Sequence, residues 1–472
     1  MISKNEDLNL YGIYIIKDYL SFNEDNNEKE LKILLTQINN EYLNYFIELL
    51  HKYNKQLSYV ILWILINVSY VDSDEILFGS NIDIIYKIAQ FLGNNKNNKF
   101  LTSRGIWLLR NITANNNNVK KILLEYNIIE YFKEIYLKYN LDNEFIHNLL
   151  LCISNFAVNI DKENIMKYIP LVKMVKSQLY PSSNIKRLNK YIFIIYNLSC
   201  LNSDKILNEM FQEELYKKLI DIYPFKTDVN NIENNEKEFN NYTYKMKLCI
   251  LKIIGKILSI NDEEELVIQK LIDYGIIKFL NKIIDNSEDD FKIIKNVVFC
   301  ISNICTGNFN QINELYNSGI YIKLIDIGNN IYTKIKGSVL DVRDNEMKDL
   351  YDLFREISYV FSLTIINSMY EKLLPLIKYN DYIIIIFIIE ALNIFQNEKE
   401  LIDLYLNAIF HLVNYEQNIE EYNSIIRISD FNISISEIMD RNGIKSILDN
   451  IIINKSDELN ILAEKIYNVI YK

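Results

Sequence analysis

The two tryptophans of this chain each stand four residues before an asparagine, in Trp63-Ile64-Leu65-Ile66-Asn67 and Trp107-Leu108-Leu109-Arg110-Asn111. On a helix that step sets an indole and an amide on neighbouring turns of one face. The pattern continues with other residues in the tryptophan place: Leu151 before Asn155, Phe193 before Asn197 and Phe299 before Asn303. From Asn67 the asparagines at 111, 155 and 197 follow at steps of 44, 44 and 42 residues. Residues 251–258 (LKIIGKIL) fit as a further copy, with Lys256 in the asparagine place. A helical face that recurs at a fixed period belongs to like units stacked side by side.

Periods of ~40–47 residues are those of armadillo and HEAT arrays. The expected fold is therefore all-α, a right-handed armadillo-repeat superhelical solenoid of about ten repeats. Only 11 Gly and 4 Pro in 472 residues favour helices over sheets and turns, and 49% apolar residues supply a continuous core. Repeats are expected over residues 31–437, a cap or partial first repeat over 1–30, and a C-terminal capping repeat over 438–472. Polar stretches at 226–241 and 329–349 break the period and read as surface loops. Gly275, Gly319 and Gly443, with Asn127 in the same place, mark left-handed turns between helices. Pro375 is read as opening a helix at Leu376.

The net charge of −11 disfavours direct nucleic-acid binding and suits a basic partner. Five cysteines in apolar stretches (152, 200, 249, 300, 305) read as reduced, buried thiols. The longest apolar run, 382–389, is too short for a bilayer and reads as a buried helix, so no membrane partner is expected. His51, His147 and His411 are scattered and form no metal-ligand spacing. No phosphate loop and no nucleophile elbow is present. No metal, no cofactor and no enzymatic activity are expected.

On its ladder residues the chain resembles the importin-α (karyopherin-α) family, armadillo-repeat adaptors for nuclear localisation signals. Residues 299–324 (FCISNICTGNFNQINELYNSGIYIKL) are similar to the family's seventh repeat, 251–258 to its sixth and 438–471 to its end cap. The resemblance covers residues 31–472. It implies a concave groove in which asparagine amides clamp an extended peptide backbone. Indole slots would hold Lys or Arg stems, with cation–π attraction of ~0.5–2 kcal/mol. The implied major site is Trp63, Asn67, Trp107, Asn111, Asn148 and Asn155; the implied minor site is Phe299, Asn303, Glu356 and Tyr359.

The resemblance implies nuclear import of cargo that bears basic signals, with importin-β and an export receptor as further partners, in cytoplasm and nucleus. The chain departs from the family at several of these places. Leu151 replaces a tryptophan, Asn115 an aspartate, and Lys256 and Leu363 minor-site asparagines. Arg104 and Lys190 stand where the family has an amide and an acid. The minor site reads as eroded, so the pair Trp107 and Asn111 is expected to matter more than Phe299 and Asn303. The basic importin-β-binding arm is not visible: residues 1–30 hold Lys4, Lys17 and Lys29 against several acids. The alternative reading is an armadillo interaction scaffold outside nuclear import.

Overall fold

The computed structural model describes residues 11–18, 40–52, 55–71, 76–79, 81–158, 162–180, 184–201, 203–223, 236–260, 266–287, 290–337, 345–368, 370–426, 434–454 and 457–471. Among these the regular elements are helices and no strand occurs. The chain divides into two compact units, residues 1–249 and 250–472.

Within each unit, sets of three helices recur, as in Asn117–Glu125, Ile128–Tyr139 and Asn143–Phe156. The third helices carry the ladder. They are α1 (Lys55–Val71), α2 (Lys99–Ile112), α3 (Asn143–Phe156), α4 (Ile185–Ser199), α5 (Glu236–Leu258), α6 (Phe291–Cys305), α7 (Asn345–Asn367), α8 (Lys399–Ile426) and α9 (Asp457–Tyr471). In the first unit α1 to α4 pack one against the next; in the second, α6 to α9 do so.

The phase of these helices is set at their starts. Asn98, Asp142, Asn184 and Asp290 cap α2, α3, α4 and α6, each side-chain oxygen accepting a first-turn N–H. Such a cap satisfies a donor that a helix start leaves open and stabilises by ~0.5–2 kcal/mol. In all four helices the ladder asparagine lies 13 residues after the cap, at 111, 155, 197 and 303. Each residue turns a helix by about 100°, so a constant interval gives every rung the same azimuth. The opposite face fills the core. On α2, Leu101, Ile106, Leu108, Leu109 and Ile112 are buried, each stabilising by ~1.5–3 kcal/mol.

Asn127, Gly275, Gly319 and Gly443 adopt left-handed backbone, as their places in the repeat require. Glu214, Asn380, Asp381 and Tyr382 do so as well, without glycine. Repeat packing holds those four residues there at a cost of ~1–3 kcal/mol each.

Several expectations are corrected. Pro375 lies inside the helix Tyr370–Lys378 and does not open it; a nine-residue helix forgoes one backbone bond and continues. The stretch 329–349 is helical at both ends. Residues 329–337 extend the helix Ile320–Gly337, because Ile331 and Ile335 continue its buried stripe, and 345–349 begin α7. Residues 236–241 likewise begin α5. The intervening 224–235 and 338–344, and all of 1–30 except the helical 11–18, lie outside the described residues. Of the cysteines, Cys152, Cys300 and Cys305 are buried, Cys249 is half-buried and Cys200 is exposed. Cys200 caps the end of α4 and continues the outward stripe of Phe193 and Asn197. The apolar run falls in the buried helix Ile383–Ile394. No helix among the described residues is long and apolar enough to cross a membrane.

Candidate functional site

In the first unit the rung residues line one strip. The outward stripe reads Trp63 and Asn67 on α1; Arg104, Trp107 and Asn111 on α2; Asn148, Leu151 and Asn155 on α3; Lys190, Phe193 and Asn197 on α4. Three bonds show that α1, α2 and α3 run parallel and in register. Arg104 to Tyr59, Asn111 to Ile66 and Asn155 to Arg110 each join positions 45 residues apart. Trp107 is 41% exposed and Phe193 39%. Trp63, Asn67, Asn111, Asn148 and Asn155 are half-buried.

The rung amides also tie the repeats together, which their spacing alone does not reveal. Asn67 Nδ2 donates to the Trp63 carbonyl at 2.8 Å. Asn111 Nδ2 donates to Ser69 Oγ at 3.1 Å and to the Ile66 carbonyl at 3.4 Å. Asn155 Nδ2 donates to the Arg110 carbonyl at 2.8 Å. A carboxamide has a second N–H and an oxygen beyond that bond, so one rung serves both the fold and a ligand. Asn197 interrupts the series: its buried Nδ2 has no acceptor.

Charge is where this strip departs most from the resemblance. The Arg104 guanidinium lies 5.4 Å from the Trp107 ring centre and 4.9 Å from that of Tyr59. It donates to Tyr59 Oη at 2.6 and 3.0 Å. It therefore fills an aromatic slot that a ligand's cation would use. Arg110 Nη1 donates to Asn148 Oδ1 at 3.3 Å. Burial, and then the charge of Arg110, lower the Lys190 pKa. Burial lowers that of His147 too, followed by Lys190, Arg110 and Lys186. Among the described residues Arg104, Arg110 and Lys190 have no carboxylate partner, whereas Lys96 pairs with Glu134 and Lys173 with Glu209 and Glu213.

In the second unit α6, α7 and the start of α8 enclose a cleft of about 560 Å3. Phe299, Asn303, Glu356 and Tyr359 all line it, together with Arg355, Glu398 and Glu400. Gly255 on α5 makes room for the Phe299 ring; a Cβ there would sit 2.5 Å from it. Asn303 Nδ2 donates to the Phe299 carbonyl at 2.9 Å and the Gly255 carbonyl at 3.3 Å. Arg355 is shared between Glu356 at 3.5 Å and Glu398 at 3.7 Å. Lys399 reaches Glu458 on α9 at 3.7 Å. Burial pushes the Glu356 carboxyl up, against the pull of Arg355 and Lys295. Burial also raises Tyr359, followed by the charges of Glu356 and Glu400. The residues ranked second from the sequence thus bound a formed acidic and aromatic cleft.

Sequence reasoning missed Tyr59, Arg110, Glu398 and Glu400. The interval of 13 residues from cap to rung would have placed Arg110 directly beside a rung. Nothing local marks Glu398 and Glu400, because no asparagine follows at that interval on α8. Asn367, which donates to the Cys305 carbonyl at 3.0 Å, supplies the cross-repeat bond of α7 that Leu363 does not.

No protein-family model matches the chain, and no curated protein matches it in sequence. Solved structures match it in fold. A chain from the cadherin–β-catenin structure, which describes a conserved phosphorylation switch controlling that interaction, superposes with a TM-score of 0.69. Identity is 11%, over 99% of this chain and 81% of that one. An engineered protein superposes with a TM-score of 0.64 at 12% identity, over 100% of this chain and 97% of that one. A designed armadillo repeat protein in complex with the peptide (KR)4 gives 0.42 at 17% identity, over 64% and 99%. The fold is an armadillo-repeat solenoid. At these identities the likeness is one of fold, and it does not single out importin-α.

Proposed function

We propose that this chain is a peptide-binding adaptor and not an enzyme, and that it reads an extended basic segment in the cleft of the second unit. The observation that supports this is the meeting of Phe299 and Tyr359 with Glu356, Glu398 and Glu400 around an open cleft. Ring faces take methylene stems and attract ammonium groups by ~0.5–2 kcal/mol. The carboxylates supply charge-assisted acceptors, and the Asn303 carboxamide anchors the peptide backbone. Taken with the resemblance to importin-α, the segment is a nuclear localisation signal on a cargo protein. The adaptor then works in cytoplasm and nucleus, with importin-β and an export receptor.

Calorimetry with a lysine-rich signal peptide tests this. Phe299→Ala with Asn303→Ala should weaken binding more than Trp107→Ala with Asn111→Ala, the reverse of the ranking drawn from sequence. No loss from the first pair sinks the reading. The scaffold alternative draws support from Arg104, whose guanidinium already covers Trp107. A pull-down with importin-β and the same peptide separates the two: a ternary complex supports import, and peptide binding without it supports the scaffold.

A further inference from the structure

We propose that the ladder strip of the first unit binds an acidic peptide segment, a ligand of opposite sign to the one read by the second unit. The inference stands on the first unit alone and is independent of what the other cleft binds.

Counting from the caps places the charges. Arg104 lies six residues after Asn98, Asn148 six after Asp142, and Lys190 six after Asn184. Three neighbouring helices therefore present, along one line, a cation, an amide bonded to the Arg110 guanidinium, and a second cation. Packed helices lie ~8–10 Å apart. In an extended peptide alternate side chains, ~7 Å apart, share a face. Arg104 and Lys190 stand two helices apart, ~16–20 Å, against ~14 Å for two such peptide steps, a difference within the reach of long Arg and Lys side chains.

Lys190 is the sharpest member. Its ammonium is half-buried without a counter-ion, and burial of a charge is costly unless it is paired. An incoming carboxylate supplies that pair. The acid nearest this row on its own helices is Glu144, exposed in the first turn of α3 one turn before Asn148. Trp107 and Phe193 offer exposed rings beside the row, and the rung amides of Asn111 and Asn155 offer backbone contacts. Amides spaced along parallel helices suit a polypeptide.

The test uses the full chain and fluorescence anisotropy with three labelled probes: a Glu- and Asp-rich peptide, a Lys-rich peptide of equal length, and single-stranded RNA. The acidic peptide should bind, and binding should weaken with added salt, since exposed charges are screened over ~8 Å at physiological ionic strength. Arg104→Gln with Lys190→Gln should weaken it about tenfold or more, through loss of charge-assisted bonds. Phe299→Ala with Asn303→Ala should leave it unchanged. Failure of the basic peptide to bind the second unit would leave all of these outcomes standing. Arg104→Glu with Lys190→Glu should abolish acidic binding and admit the Lys-rich peptide to the strip. Should the Lys190 variants fail to fold, Arg104→Gln with Arg110→Gln reads the same row. Unchanged acidic-peptide binding in a variant that melts like the parent overturns the proposal. So does displacement of the acidic probe by the Lys-rich peptide, or a preference for RNA that the same variants remove.

Discussion

Glu356 shows how one half-buried group ties stability to binding. Its folded pKa is raised above the ordinary 4.5, by burial first. Arg355 and Lys295 oppose the shift, and Asp352 adds to it. For stability the sign is clear. A raised carboxyl binds its proton more tightly when folded, so its contribution is complete below the unfolded value and is lost as pH rises through the folded one. Binding runs the other way, because a basic ligand needs the carboxylate. Affinity for a lysine-rich peptide should start to fall above the usual glutamate range as pH is lowered, and Glu356→Gln should flatten that profile. Calorimetry across pH checks it; identical profiles would remove Glu356 from the site. Cysteine accessibility is a second residue-scale test. Cys200 should react with maleimide in the native protein, whereas Cys152, Cys300 and Cys305, buried and pushed to higher pKa, should react only on unfolding. The apolar runs alone do not show this difference, but the outward stripe of Phe193 and Asn197 reaches Cys200 at the next turn.

Two elements depend on single side chains far away in sequence. Gly255 on α5 faces the Phe299 ring of α6, and an added Cβ would lie 2.5 Å from it. Gly255→Ala should cost about 1–3 kcal/mol through overpacking and also weaken basic-peptide binding, as Phe299 is pushed from its place in the cleft. Thermal melts and titration on the same sample check both effects; unchanged affinity would mean that the ring position does not matter. Glu416 on α8 is buried, and its carboxylate accepts the N–H groups of Ile435 and Ser436, the latter at 3.0 Å. It also accepts the Ser436 hydroxyl at 2.7 Å. An anion at a helix start is favoured by the unsatisfied donors there. Glu416→Ala should destabilise by about 2–3 kcal/mol, read as a lower melting temperature. The Asx residues stand at a constant interval before each rung, but the structure is what identifies them as caps. The Glu416 cap has no such interval, because it comes from a helix that ended before the capped one began.

The rung asparagines set how far unfolding spreads from one repeat to the next. Asn111 and Asn155 each donate to the preceding ladder helix. Replacing both with alanine should cost about 1 kcal/mol per bond. It should also broaden urea unfolding followed by circular dichroism, because repeat arrays unfold together only as far as neighbouring interfaces couple them. A loss of peptide affinity with an unchanged transition would assign the rungs to ligand binding alone. Periodicity by itself determined that the chain is helical, that it repeats, and which residues form the outward stripe. Those properties follow from backbone geometry and local burial, which neighbouring residues encode. The sequence placed Arg104 and Lys190 on the first strip; tertiary structure decided which charges find partners and the presence of the cleft. Arg104 meets Tyr59, Arg110 meets Asn148 and Glu398 meets Arg355 only after helices some forty residues apart have stacked. Electrostatics depends on distance through space, and an asparagine reads the same in sequence whether an acid or an arginine stands beside it.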